Sequence, residues 1–280
     1  MIKIRNKTGT KEIIFDNKAY TLNQKDLGTA NTELNTFKGL GQVGEYLTNT
    51  SIESRKITLI GFVLADTSTQ MAVRKRDLFK LINPLEEFDL IVGEYKLSCV
   101  ANDTMKFSKN HYENNDSLCK FQLTATALSP CFEKLESNKA TIAYWQPKFK
   151  FPFAFTNSFI VGLRQPSLIA RLQNDGDIEI GMKITFKATA ALTNPYLTNI
   201  TTGKTFKLLK ALAAGEEVIV NTNYGKKSII SGDINYFQYF DLDTEFIQLA
   251  AGENILRYGA DTNETNLEVS IEYIPKYLGV

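Results

Sequence analysis

The chain has 280 residues, with 32 Lys and Arg against 31 Asp and Glu and a net charge of +1. That length accommodates two domains, and the near-neutral balance supplies no global field to draw the protein onto nucleic acid or an anionic membrane, so partners are met by shape and local contact. The longest apolar runs, such as ITLIGFVLA from Ile57, are strand length and far short of the roughly 20 residues of a spanning helix; the opening MIKIRNKTGTKE has no apolar signal core, which predicts a soluble protein folded in the cytoplasm.

Taken in chain order, EIIF and AYTL flank Asp16, Asn17 and Lys18 and predict a β-hairpin. From Asn23 to Ser54 the chain turns polar and Gly-punctuated, with no sustained periodicity, and reads as a long functional loop or arm. The strand of Ile57 to Leu64 comes next. A helix follows, with Thr67 and Gln70 in capping-box spacing, Met71, Leu78, Leu81 and Ile82 as its apolar stripe, and Pro84 as its stop. Arg74, Lys75 and Arg76 fall on its exposed side, as a solvated face, a subunit contact or a phosphate contact. FDLIV and YKLSCV around Gly93 and Glu94 predict a second hairpin. In the strand from Cys119 to Leu128, the residues Cys119, Phe121, Leu123, Ala125 and Ala127 share one face.

The texture changes between Pro130 and Pro166, and a domain boundary is expected near Ser137. Phe149, Phe151, Phe153 and Phe155 alternate with polar or small residues beside Pro152. Such a row is core on an edge strand or a ligand surface, with Trp145 the ring best placed for a ligand. Beyond it the chain is a run of short strands with Gly and Asn turns. Met182, Ile184 and Phe186 alternate with Lys183, Thr185 and Lys187, and Leu267, Val269, Ile271 and Tyr273 alternate with polar residues. Many short strands without strand-helix alternation imply an antiparallel sandwich or jelly roll.

A search for chemistry finds little. Cys99, Cys119 and Cys131 form no CxxC pair and have no histidine cluster beside them, so no zinc site is expected. The lone histidine, His111, lies in the polar stretch SKNHYENND. Gly39, Gly41 and Gly44 give a dinucleotide-binding spacing, but no strand precedes it and no long apolar helix follows. Asp175 with Asp177, and Asp241 with Asp243, are the available carboxylate pairs. The first reads more simply as a turn, or else as a calcium contact, and the second as strand or turn surface. No catalytic residue, metal or cofactor is assigned.

Several segments in order resemble the siphophage-type distal tail protein, the hub at the tail tip. They are RKITLIGFV, LFKLINP, YKLSCV, LSPCFE, FPFAF, NDGDIEIGMKITF, NPYLTNITTGKTFKL, AGEEVIVNT, FIQLAAGENIL and YIPKYLGV. The resemblance implies a mainly β protein with an N-terminal β-barrel-like or split-barrel domain carrying one helix (1–137, joined by the final strand 272–280) and a C-terminal galectin-like jelly-roll sandwich (138–271). It implies a structural virion protein, not an enzyme: a homohexameric ring joining the tail tube protein to a tail tip protein and to a receptor-binding protein, assembled in the host cytoplasm, without membrane or sequence-specific nucleic-acid binding. On that reading Arg74, Lys75 and Arg76 lie at a ring interface or near the lumen, and the Asn23–Ser54 arm touches a neighbour or the tube. The competing expectation is a carbohydrate-binding adhesin using Trp145 or nearby Tyr residues.

Overall fold

The computed structural model describes residues 1–141, 145–147, 162–164 and 169–280, with the strands 145–147 and 162–164 described as backbone alone. The phenylalanine row at Phe149, Phe151, Phe153 and Phe155 lies outside the described residues. The chain divides into two compact units, Met1–Leu135 with Tyr277–Val280, and Glu136–Lys276.

In the first unit the strands are β1 (Ile2–Asn6), β2 (Glu12–Phe15), β3 (Tyr20–Asp26), β4 (Thr32–Phe37), β5 (Tyr46–Ile52), β6 (Arg55–Leu64), β7 (Glu87–Val92), β8 (Tyr95–Ala101), β9 (Lys106–Phe107), β10 (Leu118–Ala127) and β11 (Phe132–Lys134), with the helix α1 (Ser68–Leu81) between β6 and β7. The main sheet runs β2-β1-β7-β8-β10-β6-β3. Alternation fixes its inner face: Ile2, Ile4, Ile13 and Phe15 from the first two strands, and Cys119, Phe121, Leu123, Ala125 and Ala127 from β10, are all buried. This is the face expected for β10, because a period of two turns every second side chain to one side. The hairpin expected from EIIF and AYTL does not form. Instead β2 pairs back onto β1 and β3 pairs with β6. Asn17, in the left-handed region at φ 66°, donates its N–H to the Tyr20 carbonyl at 3.2 Å, and this turn carries the chain from one sheet end to the other.

Those two ends share no ladder, so the barrel-like or split-barrel sheet expected is present without closing. They meet through side chains, the rings of Phe15 and Tyr20 lying edge to face with centroids 6.4 Å apart. The helix begins where the capping pattern puts it. Thr67 accepts from the Gln70 N–H at 3.2 Å, and Gln70 reaches back to the Asp66 N–H at 2.8 Å, one residue before the cap. Met71, Leu78 and Leu81 form its buried stripe. The expected hairpin of β7 and β8 is present, turning on Gly93 at φ 61°.

The second unit contains β12 (Asn138–Thr141), β13 (Trp145–Pro147), β14 (Gly162–Arg164), β15 (Ile169–Asn174), β16 (Met182–Ala188), β17 (Leu192–Asn199), β18 (Lys204–Lys207), β19 (Ala211–Leu212), β20 (Glu217–Asn221), β21 (Ser228–Ser231), β22 (Ile234–Asn235), β23 (Gly252–Thr262) and β24 (Leu267–Tyr273). One antiparallel sheet runs β12-β24-β16-β20-β21-β22 and another β15-β23-β17-β18. Met182, Ile184, Phe186, Val269 and Ile271 of the first, with Leu197, Phe206, Leu256 and Tyr258 of the second, make one core. The rings of Phe186 and Phe206 stack across it at 6.2 Å. This is the mainly β sandwich expected, built by the alternation seen in the sequence. A last short strand, β25 (Lys276–Tyr277), pairs with β11, and Tyr277 packs edge-on against Tyr95 at 5.2 Å within the first unit.

Candidate assembly surface

Between β3 and β6 the chain runs out into a two-stranded hairpin, β4 with β5, that joins no other sheet. The loop expected over Asn23–Ser54 is therefore a structured arm, and β3 itself continues to Asp26. Sequence periodicity missed these strands because neither buries a face: all six residues of β4 are exposed. Polar side chains bind the hairpin locally. Thr48 donates to the Asn35 carbonyl at 2.7 Å and Thr36 to Glu45 at 2.6 Å. At the tip the Gln42 N–H donates to the Gly39 carbonyl at 3.2 Å, while the Gln42 side chain accepts from the Gly39 N–H at 3.1 Å. Gly41 and Gly44 hold φ 74° and 84°. The glycine spacing at 39–44 thus makes a hairpin turn: contrary to expectation a strand, β4, does precede it, but β5 follows it where a dinucleotide site needs a helix.

The arm also displays large apolar side chains. Leu34 and Phe37 are 62% and 61% exposed, and Leu40 and Val43 at the tip are fully open at 109% and 99%. An isolated two-stranded hairpin is marginal in water, and apolar residues grouped on one are characteristic of an interaction surface. The length and missing core pattern of this segment mark it as functional in the sequence; Leu40 and Val43, set among glycines, are the further signal that identifies its tip.

The basic trio of the helix is divided. Arg74 donates through Nη1 to the Leu64 carbonyl, and its own carbonyl accepts from the Tyr20 hydroxyl at 3.1 Å. Burial, then the charge of Asp77, pushes that hydroxyl up to about 12 against the opposing pull of Arg74, so it remains a donor. Lys75 donates to Asn114 at 2.8 Å and lies 5.5 Å from the Phe107 ring centre. Arg76 is exposed. Two of the three charges are thus spent inside the unit and one faces out.

Each remaining candidate has a local role of its own. His111 opens a short exposed turn, His111–Glu113, in which Glu113 is taken by Lys120 at 2.7 Å and Ser108 at 2.9 Å. Asp175, Gly176 and Asp177 form a turn in which Asn174 accepts from the Gly176 N–H at 3.1 Å. Asp241 accepts from the Asp243 N–H at 3.1 Å in another turn. Cys99, Cys119 and Cys131 are buried and form no disulfide among the described residues, and burial, followed by the charge of Asp89, pushes the Cys99 thiol up to about 12. Among the described residues no three His, Cys, Asp or Glu gather to hold a metal. Trp145 lies on β13, opposite Arg164 of β14, with its side chain outside the described residues.

Comparison with known proteins fits an assembly surface better than a reaction site. The family model "Phage tail protein RIFT-related domain" matches residues 8–122, and "Siphovirus-type tail component, C-terminal domain" matches residues 175–277. No curated protein sequence matches. Among solved structures, the fold is similar to that of the SPP1 Dit protein (gp 19.1), described as a paradigm of hub adsorption apparatus in phages infecting Gram-positive hosts. That match has 11% identity, covers 99% of each chain and has a TM-score of 0.69. It is also similar to chains of the phage P2 baseplate in its activated conformation with calcium and with strontium. Both are 11% identical over 100% of this chain and 99% of the other, with TM-scores of 0.51 and 0.50. With the two models lying in tandem along a chain whose fold is matched end to end, the protein belongs to the siphovirus-type distal tail protein family, the structural tail components of these phages.

Proposed function

We propose that the protein is the repeating subunit of a six-fold ring at the distal end of the tail, joining the tube above to a tip protein, and to receptor-binding proteins, below. In this reading the first unit, residues 1–135 with the returning 277–280, forms the ring, and the second unit, residues 136–276, projects outward; the boundaries expected at 137 and 272 shift accordingly, because Glu272 and Tyr273 belong to β24. The ring assembles in the host cytoplasm and carries out no reaction of its own. The observation that carries the proposal is the arm: a hairpin outside any sheet, bearing Leu34, Phe37, Leu40 and Val43 to solvent, is suited to burial against a second copy of the chain. The hub and baseplate settings of the similar structures support the same reading. Arg76, the outward charge of the helix, would lie at the ring interface or near the lumen.

The test is light scattering followed by negative-stain imaging of the purified protein and of a variant whose residues 32–52 are replaced by a short Gly-Ser link. Six-fold rings from the natural chain, and none from a variant with unaltered melting, are expected. Rings that persist without the arm would exclude it as the contact. A strict monomer at every concentration, even with tube protein added, would exclude the ring itself. Arg76→Glu is expected to weaken ring formation, and rings unaffected by it would remove that residue from the interface.

A further inference from the structure

The two stalks of the arm leave and re-enter the first unit at Gly28 and Arg55, and the Arg55 side chain holds both. Arg55 is 3% exposed. Its Nη1 donates to the Gly28 carbonyl at 3.1 Å, its Nε to the Pro130 carbonyl at 2.9 Å and its Nη2 to the Leu278 carbonyl at 2.5 Å. The guanidinium carbon lies 4.8 Å from the centre of the Phe132 ring. A planar fork with donors in fixed directions can serve three carbonyls spread around its edge, whereas an ammonium gathers its three donors on one nitrogen at the end of a flexible stem. Gly28 is equally constrained: at φ +66°, a Cβ there would lie 2.0 Å from the Lys56 carbonyl oxygen. Nearby, the Glu53 N–H donates to the Asn31 carbonyl at 2.8 Å and ties the stalks a second time.

The three carbonyls differ in when they become available. Gly28 and Pro130 precede the second unit, which occupies 136–276, and Leu278 follows it. We propose that Arg55 and residues 277–280 form a latch that fixes the root of the arm only after the second unit has been made. Until Leu278 arrives, a buried guanidinium donor lacks its acceptor, a state costly enough to keep the root open to solvent. Once it arrives, the grip closes on both stalks. A partly made chain therefore carries a loose arm and a completed one a set arm, so synthesis of the second unit precedes any contact that needs the arm oriented. The link to assembly rests on the ring reading above; the latch itself does not.

Hydrogen-exchange mass spectrometry on the purified full chain tests it without reference to rings. In a chain cut after Tyr277, which keeps Arg55 and the ring contact of Tyr277 with Tyr95, peptides covering 27–31 and 52–56 should exchange at least tenfold faster, with peptides from β10 unchanged. Arg55→Met should do the same, and Arg55→Lys, which retains the charge, should not rescue it. Unchanged exchange at the root of the cut chain overturns the latch. Should Arg55→Met also loosen β10, the cut chain decides, because its buried cation is intact. Ring formation is scored separately by light scattering, so loss of rings with a tight root would count against the latch while leaving the ring reading untouched.

Discussion

Glu216 illustrates how one carboxylate is stabilised against its own burial. Burial raises its pKa, but the Ala213 N–H at 2.9 Å, the Tyr236 hydroxyl at 3.0 Å and the Lys210 ammonium at 3.5 Å favour the charged form, and the net displacement is downward. A carboxyl whose folded pKa is depressed contributes stability above its unfolded value, ordinarily about 4.3, and loses it as pH falls through the lower folded value. Glu216→Gln should therefore melt below the natural protein at pH 7, and the gap should close towards pH 3. A gap of constant size across that range would contradict this. Gly61 is constrained by geometry instead of charge. It sits in the middle of β6, where a Cβ would lie 2.0 Å from the Thr21 carbonyl oxygen and 2.9 Å from the Phe121 ring. The glycine is visible in RKITLIGFVL, but the reason for it is the approach of β3, whose register shifts between Leu22 and Gln24. Gly61→Ala should cost about 2 kcal/mol or more in chemical unfolding, since backbone has to move; a loss under about 0.5 kcal/mol would show that the two strands relax freely.

At the level of the element, legibility follows burial. Strands β10, β16 and β24 were readable because each buries every second side chain, and α1 because Thr67, Met71, Leu78 and Pro84 mark its cap, its stripe and its stop. Thr67→Ala, by removing the side-chain acceptor for the Gln70 N–H, should destabilise the first unit by about 1 kcal/mol, with Thr67→Asp restoring it; no change in denaturant midpoint would mean that Gln70 and Asp66 suffice. The elements that were misread lack such a signature. In β4 and β5 polar residues bind the hairpin and nothing faces a core. The partner of β2 was misassigned because Asp16, Asn17 and Lys18 look like a hairpin turn, while the true turn, Lys7 to Thr10, is held by the Asn6 side chain donating to Thr8 and Thr10. Local sequence announces a turn without saying which strands it serves.

At the scale of the whole molecule, each unit has its own buried core, one gathered around Leu59, Phe88 and Phe121 and the other around Phe186, Phe206 and Tyr258. Two cores predict two unfolding transitions. Phe206→Ala, at a fully buried ring that also packs on Phe240 at 5.5 Å and Phe246 at 5.6 Å, should lower one transition by about 3–5 kcal/mol and leave the other in place. A single transition displaced as a whole in calorimetry would contradict that independence. The sequence suggested a boundary through its change of texture, but no local pattern could announce the pairing of residues 276–277 with β11, because pairing over that distance is decided by the completed sheet and not by its neighbours in the chain.

That pairing makes the second unit an insertion. The chain departs from the first unit at Leu135 and rejoins it at Tyr277, and the strands on either side of the gap, β11 and β25, are hydrogen-bonded neighbours. Exit and entry therefore form a fixed socket of two adjacent strands, into which a cassette of different length or fold can be grafted while the sheet that receives it keeps its register. Recombination at this socket can therefore replace the inserted unit as a whole, leaving the first unit under selection of its own.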